Sequence, residues 1–144
     1  MPPKQTVMHH SYSIVTTASL DRVWEMSTDV RNWKQWTPDL REVELTGGVA
    51  ENAEGYLVPE NGPRRSFRIK HYSPKFSFTM LTRFPFAQFY QRRMISYHNR
   101  KTIVTQDLWM EGPLSAFWWR LVGRRHQQLM PQMMERFREQ AECR

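Results

Sequence analysis

The chain is nearly free of cysteine. Cys143 is the only one in 144 residues, and a single thiol cannot close an internal disulfide. Nothing therefore asks for an oxidising compartment. Long apolar runs are missing too: no stretch comes near the roughly 20 consecutive apolar residues of a membrane-spanning helix. The opening residues Met1-Pro2-Pro3-Lys4-Gln5 lack the apolar segment of a secretion signal. These absences lead us to expect a cytoplasmic protein. No internal repeat and no low-complexity tract interrupts the chain. Its length matches one domain, residues 1–144, of a size that buries roughly 68–70% of its unfolded surface without a disulfide or metal staple.

The familiar fingerprints of chemistry are also absent. There is no G-x-S-x-G elbow, no P-loop and no dinucleotide-binding glycine pattern. His9 and His10 are neighbours on a strand and point to opposite faces. His71, His98 and His126 have no ligand-like spacing, so neither a metal nor any other cofactor is expected. Cys143 lies at a chain end that frays, a poor place for a nucleophile. Acids are fewer than bases, with 14 Asp and Glu against 21 Lys and Arg, giving a formal charge of +7. Such a balance fits either a nucleic-acid or anionic-membrane partner or a solvated basic surface. The basic pairs Arg64-Arg65, Arg92-Arg93, Arg100-Lys101 and Arg124-Arg125 are scattered, and no nucleic-acid motif accompanies them. A plain basic surface, with at most weak contact to anionic surfaces, is the reading we favour.

What is present is pattern. From Leu114 almost to the C-terminus, apolar residues recur with helical spacing: Trp119, Val122, Leu129, Met130, Met133, Phe137 and Ala141. Large, adaptable Trp, Met and Phe side chains suit a broad, irregular apolar surface. Two residues disturb this helix. Gly123 costs about 1 kcal/mol against alanine, which a close approach to the sheet or the short helices would explain. Pro131 removes the backbone bond to Gln127 and predicts a kink, or two helices with a break near Leu129.

Upstream lie strand-like runs separated by turns. Met8 to Val15 alternates. Ser19 caps a short helix through Met26, and Asp29 caps a second through Trp36, which Thr37-Pro38-Asp39 ends. Strand character returns at Leu40 to Thr46, Gly55 to Pro59, Ser66 to Tyr72, Lys75 to Arg83, Gln88 to Tyr97 and Thr102 to Glu111. Gly47-Gly48, Asn61-Gly62-Pro63, Ser73-Pro74, Phe84-Pro85 and His98 to Lys101 supply the turns. Short strands in series with tight turns imply an antiparallel sheet.

The order of strand, two short helices, six strands and long helix resembles the START-like (SRPBCC) superfamily, in its polyketide cyclase/dehydrase-like branch. The carrying residues are Val23-Trp24 and Asp29-Val30-Arg31-Asn32-Trp33-Lys34-Gln35-Trp36-Thr37-Pro38, with the strand Thr102 to Gly112 running into Pro113-Leu114. The resemblance covers nearly the whole chain. It implies an α+β helix-grip fold: a seven-stranded antiparallel sheet curled around the C-terminal helix, with an apolar cavity between them. The superfamily includes lipid carriers, hormone receptors, aromatase/cyclases and quinone-binding proteins, so fold does not fix activity.

Each candidate residue has two readings. Trp33 and Trp36, three apart, share a side and either stack on a ligand or pin the short helices to the sheet; pinning is favoured, since a short helix needs anchors. The cavity wall is expected from Phe67, Ile69, Phe78 and Met80, and from Leu108 beside Val104 and Met110, each of which serves equally as core. Gln106 is in register with Val104 and Leu108, so its amide points inward and needs partners. The strand Gln88 to Tyr97 has two faces, and a one-residue error exchanges them. The family pattern favours Tyr90, Arg92 and Met94 inward over Phe89, Gln91, Arg93 and Ile95. Arg92 is then a cation beside an apolar cavity, needing a carboxylate, phosphate or polarised carbonyl. Val122, His126, Met130 and Met133 complete the wall from the helix. His126 is either a general acid–base group or a core histidine with satisfied bonds, the latter favoured.

Three functions follow. The first is non-catalytic binding of a hydrophobic small molecule (lipid, polyketide or isoprenoid-like) in a cavity of roughly 300–1,000 Å³. The second is a cyclase, aromatase or dehydratase, with Arg92 or Gln106 stabilising an enolate and His126 or Tyr90 moving a proton. The third is a basic interaction module for membrane, ribosome or RNA.

Overall fold

In the computed structural model, residues 8–143 are described. The expectation about Met1 to Gln5 falls outside them. The described elements are β1 (His9–Thr16), α1 (Leu20–Thr28), a 3-10 helix (Val30–Gln35), β2 (Leu40–Leu45), β3 (Glu54–Pro59), β4 (Arg65–Ser73), β5 (Ser77–Phe84), β6 (Ala87–His98) and β7 (Lys101–Glu111). A helical run closes the chain: α2 (Ser115–Trp118), a π-helical turn (Trp119–Gly123) and α3 (Arg124–Glu142). All seven strands form one antiparallel sheet, ordered β1-β7-β6-β5-β4-β3-β2. The sheet curls around the C-terminal helix, the helix-grip arrangement.

Turn chemistry sets the registers. Asn99 and Arg100 both have positive φ, and the two-residue turn they make pairs His98 with Lys101. Pro85 and Phe86 make another, pairing Phe84 with Ala87. Ala87 is fully buried, and the inward face of β6 continues through Phe89, Arg93 and Ile95. This corrects the expected orientation: Tyr90, Arg92 and Met94 lie on the outer face. The choice follows from register, because Arg93 stands opposite the inward Gln106, and Arg92 opposite Asp107.

The core line of α3 is Met130, Met134, Phe137 and Ala141, an i, i+4, i+7, i+11 spacing. Met134, outside the expected stripe, is wholly buried, while Leu129 and Met133 lie one helix row away and keep some exposure. No break occurs near Leu129, and α3 runs through Pro131, whose side chain faces solvent. The irregularity comes earlier, in the π turn. Gly123 belongs to it, and its close neighbour is neither sheet nor short helix. A Cβ there would lie 2.2 Å from Cε3 of Trp119, whose indole covers the glycine.

Ser19 caps α1 as expected, its Oγ accepting from the Arg22 amide at 3.1 Å. Asp29 makes no side-chain cap to the 3-10 helix; its carboxylate accepts from the Asn32 side chain at 2.6 Å. What holds that short helix is its tryptophans. Trp33 stacks on Phe78, centroids 6.5 Å apart, and donates Nε1–H to the Ser27 carbonyl at 3.0 Å. Trp36 meets Phe137 edge to face at 4.9 Å.

Candidate functional site

Between the sheet and the C-terminal helix lies a cavity of about 210 Å³. That is below the usual range of about 300–1,000 Å³ for small-molecule sites. Its walls are mainly apolar: Trp33 and Trp36, Phe78 and Met80 from β5, Leu108 from β7, and Val122, Leu129, Met130 and Met133 from the helix. The two tryptophans therefore both anchor their helix and line the cavity. A larger, more open groove of about 560 Å³ runs beside β3, β4 and β5, where Arg64, Arg65, Arg68 and Arg83 stand among Phe67, Leu81, Phe84 and Trp118.

The unusual group in the cavity is Arg93, 4% exposed. Its Nε donates to Gln106 Oε1 at 3.0 Å, Nη1 to Ser27 Oγ at 3.4 Å, and Nη2 to the sulfur of Met134 at 3.7 Å. The guanidinium carbon also lies 4.9 Å from the Trp36 ring centroid and 4.7 Å from that of Phe137. Those π faces offset part of the desolvation. Among the described residues, no carboxylate pairs with it. A guanidinium has five N–H donors, so two remain without a protein acceptor. Burial pulls its pKa down to about 9, which still leaves it a cation at neutral pH.

Its sequence neighbour has the opposite arrangement. Arg92 donates from Nε and Nη2 to Asp107 Oδ2 at 3.1 and 2.8 Å, and Ser11 Oγ donates to the other carboxylate oxygen at 2.6 Å. Arg92 lies over Trp109, which stacks on Tyr90 at 5.0 Å. This is a satisfied outer-face network with no access to the cavity.

Toward the C-terminal helix the cavity meets Arg65, Asp39, Arg125 and His126. Asp39 Oδ2 accepts from Arg125 Nε at 2.9 Å. His126 is partly buried, and its Nδ1 lies 3.0 Å from the Val122 carbonyl. A carbonyl only accepts, so Nδ1 carries the proton. Burial holds the imidazole below the usual histidine range, leaving Nε2 a free acceptor at neutral pH. With three arginines against one aspartate, the polar part of the lining is net cationic.

Of the expected wall residues, the cavity brings together Phe78, Met80, Gln106, Leu108, Val122, His126, Met130 and Met133. Phe67 and Ile69 are core beneath it, 3% and 0% exposed. Tyr90, Arg92 and Met94 are on the far side of the sheet. Sequence reasoning placed Arg93 and Gln91 on the disfavoured face of β6 and missed Ser27 and the helix-side cluster of Arg65, Asp39 and Arg125. Among the described residues, no group of three or more His, Cys, Asp or Glu could hold a metal ion, and no helix is long and apolar enough to cross a membrane.

This architecture defines a helix-grip protein with an apolar cavity. The chain belongs to the polyketide cyclase/dehydrase and lipid transport family, whose sequence model matches residues 8–142. A search of curated protein sequences returns no match. Among solved structures, a START superfamily protein from Mycobacterium smegmatis superposes with a TM-score of 0.68 at 16% identity, over 92% of this chain and 98% of that one. A hypothetical protein from Helicobacter pylori gives 0.77 at 6% identity, over 98% and 91%. DynU16, a protein of the dynemicin biosynthetic locus, gives 0.66 at 17% identity over 91% of this chain, which spans 46% of DynU16. At such identities the likeness is one of fold.

Proposed function

We propose that the chain binds a hydrophobic small molecule (lipid, polyketide or isoprenoid-like) carrying an anionic or strongly polarised oxygen group, which Arg93 receives inside the cavity. One observation carries this reading: a buried guanidinium, lacking an acid among the described residues and with free N–H groups, lines a mainly apolar space. Burying a cation beside greasy walls is costly unless something pairs with it. A carboxylate or similar oxyanion on an apolar body supplies both complements, with a bidentate fit to the guanidinium. The cavity volume favours a compact ligand, or a longer one whose end protrudes.

The test begins with native mass spectrometry of the purified protein, followed by denaturation and analysis of what is released. Calorimetric titration with a medium-chain fatty acid and the matching alcohol then isolates the head group. A charge-assisted hydrogen bond contributes about 1.5–3 kcal/mol, so the acid should bind roughly 10- to 100-fold tighter. Arg93→Met should fold and lose that preference. Equal affinity for acid and alcohol in the unaltered protein would sink the reading.

A second reading rests on the same cavity holding both a cation and an unprotonated imidazole. A cyclase-type reaction would use Arg93 and Gln106 to stabilise an enolate and His126 Nε2 to take a proton. His126→Ala would then abolish turnover of a poly-ketone while leaving its binding intact; unchanged turnover would exclude the role.

A further inference from the structure

Four of the exposed large apolar side chains lie together at one end of the molecule: Phe86, 71% exposed, with Leu114, Phe117 and Leu121, 42%, 53% and 57% exposed. Leu114, Phe117 and Leu121 follow an i, i+3, i+7 spacing at the start of the C-terminal helical run. The Phe86 turn is fastened to them, since the Leu114 amide donates to the Phe86 carbonyl at 3.0 Å and Trp118 Nε1 donates to that of Pro85 at 2.9 Å.

Phe86 is the informative member. It occupies the second position of the Pro85–Phe86 turn with φ +61°. Such a position favours glycine or asparagine, and a bulky side chain there is strained. Neither the turn nor the core gains from a phenyl ring held in solvent, so folding does not account for it.

The surroundings are mainly cationic, with Glu111, which accepts from Trp109 Nε1, the neighbouring acid. From Gly112 to Met134 the chain has three arginines, Arg120, Arg124 and Arg125, and no acid. Arg124 and Arg125 stand three and four residues beyond Leu121 on the same face, and Arg83 lies at the base of the Phe86 hairpin. Leu121 and Arg125 also line the cavity and are exposed, so the patch adjoins the side on which the cavity opens.

We infer that this face docks on an anionic lipid bilayer, with Phe86, Leu114, Phe117 and Leu121 entering the acyl boundary and Arg83, Arg120 and Arg124 resting among the head groups. Exposed apolar side chains ringed by arginine match that interface in both its layers. The inference needs no cavity ligand, so it stands or falls apart from the binding proposal.

The test is flotation of the full chain with vesicles of phosphatidylcholine, alone or mixed with phosphatidylserine. Binding is expected to the mixed vesicles and to fall about fivefold for each of Arg120→Glu and Arg124→Glu. Phe86→Gly and Phe117→Ser should each lower it by roughly tenfold or more. Phe86→Gly should at the same time raise the melting temperature, a combination that general damage to the fold cannot give. Equal flotation of Phe86→Gly and the unaltered protein overturns the inference. So does a dimer that Phe117→Ser converts to monomer while neither protein floats, which assigns the face to a second copy of the chain.

Discussion

Arg92 and Arg93 are adjacent, identical in chemistry and opposite in situation. The outer one meets an acid in its cross-strand partner Asp107, and the inner one meets an amide in Gln106. Arg92 is half-buried and Asp107 is 5% exposed, so Arg92→Ala leaves a buried carboxylate with Ser11 as its remaining side-chain partner and should cost about 1–3 kcal/mol by urea unfolding. Ligand binding should not change. The inner position should respond to a single atom exchange. Gln106→Glu places a carboxylate beside Arg93, neutralises it internally and should lower affinity for an anionic ligand at least tenfold by calorimetry. His126 adds a pH dependence. Its pKa is lowered in the fold by burial, while the unfolded chain has the ordinary value of about 6.5. Below that value the unfolded state takes up a proton that the folded state resists, so its stabilising contribution is present above pH 6.5 and is lost as pH falls through the lowered folded-state value. Urea midpoints at pH 7.5 and 5.5 should show the decline, and His126→Leu should flatten it.

Helices and strands place these side chains, and the π turn shows how tightly. Gly123→Ala would improve helix propensity by about 1 kcal/mol. Its Cβ, however, would fall 2.2 Å from a ring atom of Trp119, which is itself buried. Displacing a packed indole costs about 1–3 kcal/mol, so the expected net effect is destabilisation, read as a lower urea midpoint. At this scale most of the fold was legible. Alternation and turn residues marked every strand, and the apolar spacing marked the long helix, because both patterns follow from which face is buried. The face of β6 was misassigned because both of its faces offer an arginine among large apolar residues. The sequence nevertheless held the answer. Counting back from the turn at Asn99 and Arg100 pairs Arg93 with Gln106, and Gln106 was already assigned inward from Val104 and Leu108. The cluster of Arg65, Asp39 and Arg125 had no such signal, since three separate elements bring it together. The π turn was equally hidden, because an added residue in one helical turn leaves little trace in a pattern of apolar spacing.

For the molecule as a whole, the two proposals would draw on the net charge of +7 in separable ways. Contacts at the exposed arginines are screened within a Debye length of about 8 Å at physiological salt, whereas a buried ion contact is screened much less. Raising salt should therefore release the protein from anionic vesicles while leaving cavity affinity nearly constant, two curves measurable on one preparation. The depth of Arg93 also fixes a direction of travel. The cation is buried, and the exposed residues of the cavity lining are Asn61, Leu121 and Arg125, so the cavity opens on that side. An amphipathic acid pairing with Arg93 enters carboxylate first, its tail trailing. In a lipid leaflet such an acid already holds its carboxylate toward water, where a protein resting on the surface would meet it. Uptake on this geometry requires no tumbling of the ligand and draws only on the near leaflet. A bulky substituent on the acid group should block loading, and the same bulk at the far end of the tail should be tolerated.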